Sequence, residues 1–207
     1  AQDRAQWEKF RDLPNLLYTD GNQWALYRGG ERVGRLVRLA GDVTTDGAAA
    51  VEEHDAAAVF DLLRDFLLWQ PTAPATPRAL AETLAPLCRL LRAEVLAAVQ
   101  NPESSLAALA VDWRHYLFPD ADDAQFADAY AQTLTYALLL ARWSGAAALS
   151  TTQATQTLRP QHGLLAEALK ILADEQARAE IATPVQVLER VIGAVDPAAL
   201  ARQWTGG

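Results

Sequence analysis

The stretch Phe126 to Arg142, FADAYAQTLTYALLLAR, decides the fold class. Its polar residues Asp128, Gln132 and Thr135 fall at i, i+4 and i+7, and Arg142 extends the same line two turns later. The rest of the cylinder is Ala, Leu, Phe or Tyr apart from Thr133, so the spacing predicts a helix with a wide apolar surface and a narrow polar line. Such a helix is surrounded by other helices. It is not a membrane span, because its longest uninterrupted apolar run, Tyr136 to Ala141, is far short of the ~20 residues a bilayer requires.

Outward from this strut the C-terminal three quarters of the chain keep the helical period. Residues 56–69 place Val59, Leu62, Leu63, Phe66 and Leu67 on one stripe. Three prolines then interrupt in QPTAPATP, and Thr76-Pro77 opens a long helix as cap and first residue. Pro86 lies inside it, and an interior proline costs ~3 kcal/mol, so a break is expected just before Pro86. Ser104 or Ser105 starts the next helix, and Asp122 or Asp123 in PDADD caps the helix quoted above. SGAAALSTTQATQT reads as a polar connection and HGLLAEALKILADEQ as one amphipathic helix. Thr183-Pro184 and Asp196-Pro197 read as two further starts.

Residues 13–39 have a different period. LLYT and QWALYR flank Asp20-Gly21, a strong hairpin signal; Gly29-Gly30 supplies the next turn and RVGRLVRL a third strand. In that strand Val33, Arg35, Val37 and Leu39 alternate with Gly34, Leu36 and Arg38, so both faces mix apolar residues with arginine, as at a sheet edge. Residues 7–11 read as the end of a helix. The predicted class is therefore mainly α: a helical, bundle-like region (residues 46–207) preceded by a small three-strand remnant of an α/β domain (residues 1–45).

Composition narrows the chemistry. The chain has 207 residues, a net charge of −8, sixteen arginines against two lysines, one cysteine and no methionine. A single Cys88 excludes an internal disulfide framework, fits a reducing cytoplasm and reads as a small core residue. With no Met at position 1 and an end at Gly206-Gly207, the sequence reads as a piece of a longer polypeptide. Residues 1–42 carry seven basic and six acidic side chains, and the remainder is net −9. A duplex needs a local positive excess, which leaves Arg28, Arg32, Arg35 and Arg38 as the candidate DNA-backbone contacts.

No catalytic or metal-binding constellation is expected. His54, His115 and His162 are scattered; Asp112 and His115 stand at i, i+3 as a local polar pair. PDADD lacks the spacing of a calcium loop. GGERVG lacks the strand-turn-helix context of a dinucleotide site.

LPNLLYTDGNQWALYRGGERVG (residues 13–34) and FADAYAQTLTYALLLAR (residues 126–142) together resemble large single-chain restriction-modification enzymes and related adenine-specific DNA methyltransferases. In that family a nuclease-like domain leads through an all-helical connector into a Rossmann-like methyltransferase domain and a target-recognition domain. The resemblance covers almost the whole chain and makes it the end of the nuclease-like domain plus the connector. Nucleases of this kind often carry a Gln-x-x-x-Tyr element after their catalytic carboxylates; QWEKF offers Gln6 and Phe10 at that spacing, Phe10 lacking the tyrosine hydroxyl. The metal-binding acids of the nuclease would lie upstream. The S-adenosylmethionine loop and the Asn-Pro-Pro-Tyr motif would lie downstream. The resemblance thus implies a non-catalytic part of a cytoplasmic, bacterial phage-defence transferase. Its parent uses S-adenosylmethionine as cofactor, and its partners are DNA and the other domains of its own chain. The alternative from the residues is a free-standing helical protein-interaction module; a small-molecule enzyme would require a site that the sequence does not display.

Overall fold

The structure is a computed structural model that describes residues 2–116, 118–146, 149–172 and 174–204. The chain is mainly helical, with one small antiparallel sheet near its N-terminus. It divides into two compact units, Ala1–Pro71 and Thr72–Gly207.

The first unit begins with α1 (Gln2–Phe10). A meander of β1 (Leu16–Thr19), β2 (Gln23–Arg28) and β3 (Glu31–Arg38) follows, in spatial order β1-β2-β3. Gly29 and Gly30 both have positive φ (56° and 85°), which a two-residue turn matched to the strand twist demands. A short α2 (Val43–Asp46) and a 3-10 turn (Gly47–Ala50) lead to α3 (Glu53–Leu67). One face of the sheet sets Leu26 and Val37, with Leu17, Trp24 and Val33 around them, against Ala58, Leu62, Val59 and Phe66 of α3. The other face meets α1, where the Trp7 ring stands edge-on to Tyr18 and Tyr27 at 5.4 and 4.7 Å.

Three side chains tie the loops of this unit to its elements. Asn15 Nδ2 donates to the Phe66 carbonyl (3.0 Å), Asn22 Oδ1 accepts from Val43 N (2.9 Å), and Asp55 Oδ2 accepts from Ala40 N (2.9 Å). The compact unit therefore runs to Pro71, past residues 45 and 46, where the change of period placed the end of the strand segment. The physical reason is that the apolar stripe of α3 is buried on the sheet. Only part of the predicted stripe is used, since Leu67 remains 67% exposed.

The second unit contains α4 (Pro77–Val99), α5 (Ser105–Tyr116), α6 (Asp123–Trp143) and α7 (Thr151–Leu158). It continues with α8 (Gly163–Leu172), α9 (Glu175–Glu180), α10 (Ala182–Gly193) and α11 (Pro197–Trp204). α6 is its central strut and packs against α4, α5, α7, α8 and α10. It buries Phe126, Tyr130, Leu134, Leu138 and the alanines between them. Its start is a capping box, Asp122 accepting from Gln125 N (2.7 Å) while the Gln125 side chain accepts from Asp122 N (2.9 Å). Ser104 caps α5, and Thr76 and Asp196 cap α4 and α11 as their sequence positions suggest.

Four local expectations are corrected. α4 runs unbroken through Pro86. Leu84, Leu87, Leu90 and Leu91 are all buried around that position, and at ~1.5–3 kcal/mol for each buried leucine they outweigh the ~3 kcal/mol proline penalty. The Ser/Thr-rich connection contains α7, capped by Ser150 and burying Thr151, Ala154 and Leu158. Residues 162–176 hold parts of two helices, α8 and α9, rather than one, with Asp174 capping the second through Gln176 N. α10 starts at Ala182 with Pro184 in its first turn, not at a Thr183 cap.

Candidate nucleic-acid interface

The four candidate arginines belong to the β2–β3 hairpin and its edge strand. Cross-strand partners project from the same face of a sheet. Arg32 lies opposite Tyr27 and Arg38 opposite Gln23, so both belong to the face that Tyr27 turns toward α1. Arg28 lies opposite Glu31 at the turn and belongs to the other face. Between Trp24↔Val37 and Leu26↔Val33 the single residue Ala25 faces Gly34, Arg35 and Leu36, a bulge permitted by Gly34 at φ 72°. Val33 and Val37 pack on the α3 face, and Arg35, inside the bulge, is exposed.

All four arginines are exposed, and among the described residues none of their guanidinium groups has an ion-pair or hydrogen-bond partner. The structure brings Arg32 and Arg38 to one face, ~20 Å apart at most by strand rise. It separates them from Arg28. The result is a strip along an open strand edge, not a single cradle. Residues 1–71 carry eight basic and twelve acidic side chains, so this strip is a local positive feature on a net negative unit.

Gln6 and Phe10 share a face of α1, where Gln6 is exposed and Phe10 half-buried. The Lys9 ammonium lies 5.2 Å from the Phe10 ring centroid. The end of α1 is held beside the hairpin turn, since Gly29 N donates to the Leu13 carbonyl (2.9 Å). That proximity was not legible from the Gln-x-x-x-Phe spacing. Gly29, Gly30 and Gly34 serve the turn and the bulge, so GGERVG is not a phosphate-binding entry to a helix.

Several polar groups elsewhere have partners within the fold. His54 sits 3.1 Å from Asp55 and 3.3 Å from Glu52 at the start of α3. His115 packs edge-on to Tyr116. Thr135 is buried and donates to the Ala131 carbonyl (2.7 Å). Arg142, expected to answer its helix dipole, donates to the Val195 carbonyl (2.9 Å) and the Ala146 carbonyl (2.8 Å), joining α6 to the turn before α11. The Tyr130 hydroxyl donates to the Leu172 carbonyl, and burial, with the Glu180 and Asp174 charges, pushes its phenol well above the ordinary value. Cys88 is half-buried on the outer side of α4 rather than in the core. Among the described residues no group of three or more His, Cys, Asp or Glu is arranged to hold a metal ion, and no helix is long and apolar enough to cross a membrane.

No protein-family model matches the chain, and neither a curated protein nor a solved structure matches it.

Proposed function

We propose that these residues are the closing part of a nuclease-like domain and the helical connector of a large adenine-specific DNA methyltransferase of the restriction-modification type. Their role is to hold the flanking domains in register on DNA. The observation that carries this reading is the arginine strip: exposed guanidinium groups along the edge of a small sheet, unpaired among the described residues, in a unit separately compact from the helical unit that follows. The two sequence stretches behind the family resemblance form the strand meander and the central strut. S-adenosylmethionine belongs, on this reading, to a methyltransferase domain of the parent polypeptide.

Duplex binding followed by fluorescence anisotropy against salt concentration tests the reading. Each phosphate contact contributes ~0.9 to the slope of log K against log salt. Replacing Arg32 and Arg38 by alanine lowers that slope by ~2, and replacing all four lowers it further. Affinity and slope unchanged in the fourfold variant would remove the DNA reading. The open reading frame around residues 1–207 is an independent check: this reading requires a Gly-rich cofactor motif and an Asn-Pro-Pro-Tyr motif downstream. A second reading, a helical interaction module, is favoured by a different feature, the apolar seam between α4 and α6.

A further inference from the structure

α4 and α6 lie antiparallel. Arg92 near the end of α4 pairs with Asp128 near the start of α6 (3.4 Å), while the beginning of α4 lies beside Leu139. Along their outer seam runs an open groove of about 560 Å3. Its lining on α4 recurs at Pro77, Ala81, Ala85 and Cys88, spacings of three and four that form a second apolar stripe on a helix whose first stripe is already buried in the core. Ala81 and Ala85 are exposed, and Tyr136 on the α6 side is 62% exposed. Small side chains along the seam let another backbone approach closely.

The groove is charged at one end only. Arg89 and Arg92 line it there with Asp128, whose second oxygen takes the Gln132 amide at 2.8 Å. Arg92 is answered by Asp128; the Arg89 guanidinium has no partner among the described residues. This is a positive excess on a unit whose residues 72–207 carry ten basic and fourteen acidic side chains. Charge complementarity therefore calls for a carboxylate at that end of the occupant. From Pro77 to Arg92 the seam is ~22 Å long at 1.5 Å per residue, the length of about four helical turns. The groove, which Leu200 of α11 also lines, has the volume of a small-molecule cleft, but its length along an apolar stripe favours an elongated occupant. It is the shape in which an amphipathic helix lays its apolar face.

We propose that the α4/α6 seam binds an amphipathic helix of a partner protein, about four turns long. Its apolar stripe covers Ala81, Ala85 and Cys88, and an acidic residue at one end pairs with Arg89 and Arg92. The inference stands on the seam alone and is independent of the DNA reading, because none of the strip arginines lines it.

The test uses the 207-residue chain and a fluorescein-labelled synthetic 16-residue helical peptide with leucine at helical spacing and two glutamates at one end. Two controls accompany it, one with lysines replacing the glutamates and one with scrambled order. The Glu-ended peptide is expected to bind at least tenfold more tightly than the Lys-ended one and to slow alkylation of Cys88. Ala85→Arg, at an exposed position, abolishes binding with an unchanged thermal unfolding curve, and Arg89→Glu reverses the preference between the two peptides. Equal binding of all three peptides, or binding indifferent to both variants, overturns the proposal. So does protection of Cys88 by dodecanoate without any peptide binding, which would make the seam an amphiphile site. A concentration-dependent dimer abolished by Ala85→Arg would assign the seam to a second copy and overturn it likewise.

Discussion

Replacing Asp55 by alanine removes the side chain that fastens α3 to the loop after β3. Asp55 is 4% exposed; its Oδ2 accepts from Ala40 N at 2.9 Å and, more weakly, from Glu52 N at 3.5 Å within the capping box of α3. Loss of a helix cap costs ~1 kcal/mol, and a part-buried N–H left without an acceptor costs ~1–3 kcal/mol. His54, 73% exposed, adds at most a few tenths of a kcal/mol. The expected loss is therefore ~2–4 kcal/mol, a large fraction of the ~5–15 kcal/mol that holds a domain together. Asp55→Asn keeps an acceptor oxygen and is expected to cost about half as much. Amide hydrogen exchange on the whole chain reads the effect residue by residue. A loss of ~2–4 kcal/mol accelerates exchange by ~30–900-fold. Amides of β2, β3 and α3 are expected to accelerate together, while those of α4 and α6 keep their protection. Acceleration confined to α3, with the β2–β3 ladder unaffected, would refute the reasoning and return the unit boundary to residues 45 and 46.

Pro86→Ala restores an intrahelical donor in the continuous α4 and is expected to stabilise the second unit by up to ~3 kcal/mol, read from the urea midpoint. Glu180 accepts from the Ser104 hydroxyl and from Ser105 N (2.7 Å) at the start of α5. Desolvation pushes its carboxyl up, but these hydrogen bonds outweigh it and leave the folded-state value below the ordinary 4.5. A depressed carboxylate contributes stability above its unfolded value and loses it as pH falls through the folded one. Urea titrations should therefore show a loss of stability from pH 4.5 downward that Glu180→Gln lacks. Arg142→Met removes two bonds from a charged donor to the Val195 and Ala146 carbonyls. It should cost ~2–4 kcal/mol in thermal unfolding and speed amide exchange around residues 194–197.

The candidate site was legible only in part. Arg28, Arg32, Arg35 and Arg38 are exposed residues of one hairpin and its edge strand, as the alternation in RVGRLVRL suggests. The placement of Arg38 on the face opposite Val33 and Val37 follows that alternation, whereas the bulge at Gly34, which changes which residues stand opposite one another, left no signal in it. Asp55 carried only the signal of an acid favouring the positive end of a helix, and Asn15 and Asn22 only that of polar residues beside turns. Their partners lie 15 to 51 residues away in the chain. α7 was hidden because four of its eight residues are Thr, a weak helix former, and its helicity is rewarded through buried Thr151, Ala154 and Leu158.

What the sequence by itself determined is what short-range chemistry controls. Gly29-Gly30 demands a turn, Asp122 or Asp123 caps the helix that follows PDADD, and the wide apolar surface of residues 126–142 requires surrounding helices. These depend on residues within one or two turns of each other, so no knowledge of the rest of the molecule is needed. Only the tertiary structure decided that α3 belongs to the sheet, that α4 continues through Pro86 and that Arg142 reaches two distant carbonyls. It also decided that α4 keeps a second apolar stripe on an open seam. Each of these depends on which surfaces meet, and burial between segments far apart in the chain outweighs local preferences of ~1–3 kcal/mol.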